Sequence, residues 1–347
     1  MVTKEQIMGA LSHVMDPELN RDLVSLGMID DVLVDESGNV SFTINLTTPA
    51  CPLKSKIETE AKQAVKSIDG VSDVNIRMGA KVPKDKSLEE KVDLDIKNII
   101  AVSSGKGGVG KTTVSVNLAM ALRNTGAKVG ILDADIYGPN VPTMIGVKQM
   151  PPPRDNKLIP ADAFGVKVVS IGFLVKDGQP LIWRGPLLHS TIRQFLVDVN
   201  WGELDYLIVD LPPGTGDVQL SLSQHIPVTC GVVVTMPQKV SLDDASRGIE
   251  MLNKLNIPIA GLIENMGVLE LPDGTLIEVF GNGGGEQLAN VYGVPFLGRI
   301  PLEPEIRKSG DAGTPIVISS PDSKTAKLFS EIACNVASFT AQIVMNK

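Results

Sequence analysis

Residues 105–113, GKGGVGKTT, have the spacing of a Walker A loop: Gly105, four residues, then Gly110, Lys111 and Thr112. The glycines of such a loop let backbone N–H groups turn toward phosphate oxygens. Lys111 would reach the β- and γ-phosphates, and the Thr112 hydroxyl would ligate Mg²⁺. The predicted phosphate site comprises Gly105, Lys106, Gly107, Gly108, Val109, Gly110, Lys111, Thr112 and Thr113.

A strand and a helix are predicted on either side of this loop. The apolar run 99–102 is typical of a buried strand, and apolar residues at positions 114, 116, 118, 119 and 122 give the next segment one buried helical face. Such a helix directs the positive end of its dipole at the phosphates. The spacing therefore comes with the strand and helix that a phosphate loop requires.

Acidic residues follow two further predicted strands. The strand 127–133 leads into DADIYGPN, residues 133–140, and the strand 206–209 leads into DLPPGTGD, residues 210–217. Open α/β sheets place ligands at the carboxyl edge of their strands, so we expect these acids near the glycine loop. Asp210 has the Walker B position, and we expect it to hold Mg²⁺ through a water molecule.

Lys106, the second residue of the loop, makes the motif similar to the deviant Walker A loop of MinD, ParA, the nitrogenase iron protein and their relatives. The resemblance implies an ATPase that forms a homodimer, in which Lys106 reaches the partner subunit's phosphates as an arginine finger does. Lys106 and Lys111 would then share the catalytic role with Asp135, the acid that matches the position orienting the attacking water. Asp133 would hold the loop or the magnesium shell.

The same resemblance assigns the base-binding side of the site. Asn265, in the segment ENM, matches the position that hydrogen-bonds adenine. Pro301, in RIPLEP, lies on the loop expected to cover the other side of the base. The segment 210–217 matches the second switch, which senses the γ-phosphate.

Residues 1–80 are predicted to form a small α+β domain. Apolar residues at 7, 11, 14 and 15 predict a helix closed by Asp16-Pro17, and the segments 28–34 and 40–46 predict a hairpin turning at 36–39. A helix is predicted over 55–67. Cys51, between Pro49 and Pro52, lies just ahead of it, where a thiol pKa is lowered and the metal-binding thiolate is favoured. A purely structural cysteine is the alternative interpretation.

The segments DPEL, DLVSLGMI and TTPACPLK resemble the N-terminal domain of iron-sulfur assembly proteins. Together with the ATPase motifs they make nearly the whole chain similar to the Mrp/ApbC family of iron-sulfur cluster carriers. The resemblance implies a carrier or assembly factor that delivers clusters to apoproteins, works with other assembly proteins, and is opened and closed by ATP.

The chain departs from the family pattern after ENM, where many members carry a C-x-x-C pair. Residues 268–280, VLELPDGTLIEVF, contain no cysteine and predict a hairpin turning at 272–274. Cysteine-ligated clusters need four thiolates. Cys51 is the candidate ligand, whereas Cys230 and Cys334 lie in apolar segments and are predicted core residues. A scaffold that binds ATP and clients but no cluster is the alternative.

The predicted fold is an α/β P-loop NTPase with a mostly parallel sheet flanked by helices, plus the N-terminal α+β domain. A charged linker is predicted over 81–96 and the ATPase domain over 97–347, with strands at 230–235, 259–264 and 294–300. The proline-rich stretch 147–165 is predicted to be an exposed excursion.

Composition narrows the possible partners of this 347-residue chain. With 32 basic and 40 acidic side chains the net charge is −8, which disfavours binding to a nucleic-acid backbone. No apolar run approaches the roughly 20 residues that span a bilayer, and the first residues lack a signal-peptide core. We expect a cytoplasmic protein that binds neither nucleic acid nor membrane. A positioning ATPase of the MinD or ParA kind is a further alternative, although the C-terminal helix has only sparse lysines.

Overall fold

The N-terminal residues form an α+β unit in the computed structural model, which describes residues 2–91, 95–174, 185–215 and 226–346. This unit comprises Met1–Pro83 and Ala337–Lys347. Its sheet has the order β3-β4-β5, with an antiparallel β3-β4 pair and a parallel β4-β5 pair. The predicted hairpin is confirmed. The elements are α1 Lys4–Leu11, β1 Met15–Asp16, β2 Arg21–Asp22, β3 Ile29–Val34, β4 Asn39–Leu46, α2 Lys54–Lys66 and β5 Asp73–Ala80.

The first helix is shorter than predicted. Thr3 and Gln6 form a capping box at its start, and it ends at Leu11. Met15 pairs with Asp22 in a short strand instead of extending the helix. The reason is Asp16, whose carboxylate accepts hydrogen bonds from the two backbone N–H groups after Pro17 and so forms a turn.

Part of the predicted linker is helical. The second unit comprises Lys84–Val336, and α3 spans Lys86–Lys91 near its start. Asp85 caps this helix, because its carboxylate accepts hydrogen bonds from the Ser87 amide and hydroxyl. Leu88 is 1% exposed and packs in the core of the second unit. A capping aspartate and a buried leucine thus accompany a helix in a stretch whose charged composition predicts a linker.

The second unit is organised around an eight-stranded sheet with the order β15-β12-β11-β6-β10-β7-β9-β8. Neighbouring strands are parallel except for the β8-β9 pair at one edge. The predicted α/β fold class is confirmed. The elements are β6 Ile96–Ser104, α4 Lys111–Asn124, β7 Val129–Asp133, α5 Val141–Ile145, β8 Ala161–Ala163, β9 Val166–Ser170, α6 Gly185–Val197, β10 Leu204–Asp210, β11 Cys230–Thr235, α7 Lys239–Lys254, β12 Ile259–Glu264, β13 Leu269–Glu270, β14 Leu276–Ile277, α8 Gly284–Tyr292, β15 Phe296–Arg299, α9 Pro304–Asp311, α10 Ile316–Ser319 and α11 Lys324–Met345.

The register of the sheet brings the chemical motifs to one edge. Strand β10 lies between β6 and β7, and Asp210 pairs across with Val102 on one side and Asp133 on the other. The loop after β6 and the acids that end β7 and β10 are therefore neighbours. These strands are buried along almost their whole length, as expected for parallel strands covered on both faces.

The second unit also contains two irregular regions and the first part of helix α11, whose residues from Ala337 onward belong to the first unit. The predicted hairpin after Asn265 forms, since β13 pairs antiparallel with β14. The prolines at 151–153 are exposed, but the predicted excursion over 147–165 also contributes the edge strand β8. Cys230 is buried, as predicted, whereas Cys334 on α11 is only half-buried.

Helix α11 contains a long, largely apolar stretch. Among the described residues, this 22-residue helix is long and apolar enough, by length and composition, to cross a bilayer, and its mean hydropathy is 1.3. The expectation that no apolar run approaches about 20 residues is therefore corrected. About 44% of this stretch is buried inside the protein. Phe329, Ile332 and Val336 are fully buried, which is the pattern of a core helix.

Candidate functional site

The glycine loop joins the end of β6 to the start of α4. At two of its positions, neighbouring atoms leave no room for a side chain. A Cβ at Gly105 would lie 2.1 Å from the carbonyl carbon of Asp244 on α7. Gly110 has φ +83°, and a Cβ there would lie 2.1 Å from Asn265 Nδ2. No other residue type fits at either position without moving a neighbour. The loop is thus held against α7 on one side and against the loop after β12 on the other.

Lys111 is the charge at the centre of the site. Its side chain is 5% exposed, and Nζ lies 2.8 Å from Asp210 Oδ2 and 3.3 Å from Asp135 Oδ2. Burial alone would lower the pKa of Lys111, but these two carboxylates outweigh it and raise the pKa above its ordinary value. Lys111 is therefore a fully charged ammonium, available to pair with another anion.

Asp210 is held through both carboxylate oxygens. Thr112 Oγ1 donates to Oδ2 at 2.8 Å and Ser115 Oγ donates to Oδ1 at 2.6 Å. A hydroxyl and a carboxylate side by side are the hard oxygen ligands that Mg²⁺ prefers. This donor set fits the predicted magnesium site of Thr112 and Asp210.

Asp133 and Asp135 face the same centre from the end of β7. The carboxylate of Asp133 accepts hydrogen bonds from the Asp135 amide, the Val141 amide and the Ser170 hydroxyl. Burial, followed by repulsion from Asp210, raises the pKa of Asp133 to about 8. Asp133 thus organises the loop that follows β7.

Asp135 is the more accessible of the two acids. Its Oδ1 accepts hydrogen bonds from the amides of Tyr137 and Gly138, which leaves Oδ2 facing Lys111. Burial raises the pKa of Asp135, and the Lys111 ammonium only partly offsets this. An anchored carboxylate with one oxygen directed inward suits an acid that orients a water molecule.

A cavity of about 500 Å³ extends from the glycine loop. Asn265 and Pro301, the two residues predicted to contact adenine, both line it. Asn265 Nδ2 donates to the Val109 carbonyl at 2.8 Å, and this bond orients the carboxamide group. Lys106 also lines the cavity and is half-exposed.

The far wall of the cavity was predicted only in part from the sequence. It is formed by the loop after β15, which was predicted through Pro301, and by α9, which was not. The residues of this wall are Leu302, Glu303, Ile306, Arg307, Gly310 and Asp311. The proline at 304 is the one signal that could have located the start of this helix. Ser115 was not predicted either, because it belongs to no recognised motif, and Met266 was given no role although it belongs to the ENM segment.

Cys51 belongs to the N-terminal unit. It is half-buried and packs against that unit's core, three residues ahead of α2. No group of three or more His, Cys, Asp or Glu side chains that could hold a metal ion occurs among the described residues. Gly216 and Asp217 of the second switch segment, and Arg184 before α6, lie outside the described residues.

The parallel sheet, the glycine loop ahead of α4 and the acids ending β7 and β10 together define a P-loop NTPase. Residues 95–337 match the family model described as NUBPL iron-transfer P-loop NTPase, and residues 4–78 match that of iron-sulfur cluster assembly protein. The chain belongs to the NUBPL iron-transfer P-loop NTPase family, which confirms the family resemblance.

Relatives of the chain carry consistent names. It is 50% identical to an iron-sulfur cluster carrier protein of Synechocystis, over 97% of this chain and 98% of that one. It is 42% identical to the chloroplastic Fe-S cluster assembly factor HCF101 of Arabidopsis thaliana, over 98% of this chain and 65% of that one.

Solved structures share the fold of the larger unit. A nucleotide-binding protein of Archaeoglobus fulgidus in complex with ADP has a TM-score of 0.60 and 36% identity, over 71% of this chain and 97% of that one. The cell division ATPase MinD of Pyrococcus furiosus has a TM-score of 0.52 and 25% identity, over 69% of this chain and 98% of that one.

Proposed function

We propose that this protein is an ATP-binding and ATP-hydrolysing iron-sulfur cluster carrier, which delivers clusters to apoproteins as a nucleotide-gated homodimer. The observation that carries the proposal is the buried Lys111 ammonium between Asp135 and Asp210 beside the glycine loop, in a chain that also has an assembly-type N-terminal unit. The names of its relatives support the same function.

Phosphoryl transfer to water would use the groups that meet at the sheet edge. Lys111 would exchange its two carboxylate partners for the β- and γ-phosphates. Thr112 and Asp210 would hold Mg²⁺, which would neutralise part of the phosphate charge. Once Lys111 turns to the phosphates, Asp135 Oδ2 is released to orient the attacking water, while its other oxygen stays anchored to the Tyr137 and Gly138 amides.

Adenine selectivity would follow from the orientation of the Asn265 carboxamide. The Nδ2 bond to the Val109 carbonyl fixes the side chain, and the carboxamide oxygen would be the atom that accepts a hydrogen bond from the base. An acceptor matches the amino group of adenine and opposes the carbonyl oxygen of guanine at the same ring position. Pro301, with the apolar wall around Leu302 and Ile306, would cover the base.

Dimerisation would complete the catalytic set. Lys106 lines the cavity and is half-exposed, which supports the proposal that it would reach a second subunit's phosphates. ATP would close the dimer and hydrolysis would reopen it, which gates loading or release of the cluster. The acidic net charge fits a cytoplasmic carrier whose partners are iron-sulfur apoproteins and assembly proteins, with no nucleic acid or membrane.

The iron-sulfur cluster would be the cargo of this ATP cycle. Cys51 is the proposed thiolate ligand, because it is partly accessible and precedes a helix N-terminus. Two subunits would contribute two such thiolates, and the remaining ligands would come from a small thiol or from the client.

Anaerobic reconstitution with iron and sulfide tests the cargo. We expect the wild type to bind iron and to absorb visible light, and Cys51→Ala to lose both. Cys334→Ala, which removes another half-buried thiol, is the matched control and should retain the cluster. Equal iron binding by Cys51→Ala and wild type would reject Cys51 as the ligand.

A second candidate is an ATP-driven scaffold that binds clients without a cluster. The hairpin β13-β14 favours it, since this hairpin stands where many family members have their cysteine pair. A wild type that hydrolyses ATP but takes up no iron above background would favour the scaffold over the carrier.

A further inference from the structure

We propose that Ser115 is a positioning residue that sets the orientation of the Asp210 carboxylate for magnesium binding. The proposal rests on the nucleotide-binding part of the proposed function. Ser115 lies one helical turn after Lys111 on α4, is fully buried, and donates to Asp210 Oδ1 over 2.6 Å. Asp210 is itself 0% exposed, so this contact is shielded from water.

The single hydroxyl proton of Ser115 has two acceptors within reach. The Lys111 carbonyl lies at 3.1 Å, the usual back-bond of a helical serine, and the Asp210 carboxylate lies at 2.6 Å. A charge-assisted bond to a carboxylate is shorter and stronger than one to a neutral carbonyl. The proton is therefore directed at Asp210, and the carbonyl contact is secondary.

Ser115 differs from the other partners of Asp210 in what happens when nucleotide binds. Thr112 and Lys111 both contact Oδ2. Lys111 is expected to turn to the phosphates and so to leave that oxygen. Thr112 is expected to bind Mg²⁺ through an oxygen lone pair, and its proton can still be donated to Oδ2. Ser115 has no expected ligand in the nucleotide complex and is the partner that remains on Oδ1. It would then be the partner that keeps the plane of the carboxylate fixed while Oδ2 is turned to the metal shell.

Packing alone does not account for a serine at this position. The neighbouring residues Val114, Val116 and Leu118 are apolar and fully buried, so alanine would suit the interior of α4 equally well. The hydroxyl is explained by its contact with Asp210. Partners that orient metal ligands typically change metal affinity by roughly 10- to 100-fold when they are removed.

The test uses the full chain and a fluorescent ADP analogue titrated with and without Mg²⁺. Ser115→Ala should bind the analogue in EDTA as the wild type does, but should need about tenfold more Mg²⁺ to tighten binding. Cysteine is similar in size to serine but is a weak hydrogen-bond donor, so Ser115→Cys should need about as much Mg²⁺ as Ser115→Ala. It replaces the alanine variant if that variant fails to fold. Ser115→Thr, which keeps the hydroxyl, should restore the wild-type requirement.

Ser241→Ala is the matched control, because Ser241 is also buried and its hydroxyl has no hydrogen-bond partner within the described part of the chain. Its Mg²⁺ requirement should be that of the wild type. An unchanged Mg²⁺ requirement in Ser115→Ala would overturn the proposal, and so would equal weakening of binding in EDTA and in Mg²⁺. A wild type that binds no nucleotide would instead remove the proposed function, and this inference with it.

Discussion

Replacing Lys111 with methionine should destabilise the protein in the absence of nucleotide, as well as remove phosphate binding. Methionine keeps most of the length of the side chain but none of the charge. The lost ammonium lies 2.8 Å from Asp210 and 3.3 Å from Asp135, at a position that is 5% exposed. Its removal leaves buried carboxylates without a compensating cation, which is one of the few changes that cost several kcal/mol.

The magnitude follows from which acids remain charged. Removing one partner of a buried ion pair costs about 3–5 kcal/mol. The pKa of Asp133 is raised to about 8, so this acid is largely neutral at pH 7 and adds little repulsion. The unpaired charges that remain are those of Asp210 and Asp135, whose side chains are 0% and 9% exposed. We therefore expect about 3 kcal/mol, or a fall in Tm of about 10 °C for a unit of this size.

Thermal unfolding in EDTA without nucleotide is the assay. Asp135→Asn in the Lys111→Met background should recover part of the loss, because it removes one of the two unpaired charges. The loss should also shrink at lower pH, where the remaining acids take up protons. Lys128→Met is the control: Lys128 is 59% exposed and pairs with Glu203 at the surface, where an ion pair contributes about 0–1 kcal/mol. A Tm for Lys111→Met equal to that of Lys128→Met would refute the reasoning.

Two further predictions concern the protein measured without nucleotide. Its free energy of unfolding should fall by about 2 kcal/mol between pH 6 and pH 8. Folding raises the pKa of Asp133 from 3.8 to about 8, so in this range the folded state holds a proton that the unfolded state has already lost. Raising the pH removes that proton and with it the stability that it contributes. Asp133→Asn should flatten this dependence in melting curves measured across the range, and an equally steep curve would contradict the assignment. Gly110→Ala should lower Tm more than Gly108→Ala: both glycines have φ near +82°, but a Cβ at Gly110 meets Asn265 whereas one at Gly108 meets nothing within 4 Å. Equal losses would show that backbone conformation alone matters at these positions.

The sequence was sufficient to predict the centre of the site because parallel strands end at a common edge. Asp210 follows one apolar strand and Asp133 another, and their pairing across β10 and β7 follows from that topology. The glycine spacing located the phosphate loop in the same way. These features are local in sequence, and each can be identified from a short segment.

The other contacts of the site join residues that are far apart in sequence, and no hydrophobic periodicity predicts such contacts. Asn265 meets Val109 across 156 positions, and Ser115 meets Asp210 across 95. The far wall of the cavity depends on the position of α9, which follows β15 in the chain. Helix α3 was not predicted for another reason. The charged composition around it is typical of a linker, although its Leu88 is buried in the core.

Buried hydroxyls mark the parts of this site that motifs leave out. Ser115 holds Asp210, and Ser170, which is also fully buried, donates to Asp133 at 2.9 Å. Each serine lies in an apolar element that resembles ordinary core, and each satisfies a carboxylate that would otherwise be costly to bury. In these two elements a buried serine therefore accompanies a buried carboxyl group at the end of a central strand, and neither serine belongs to a motif.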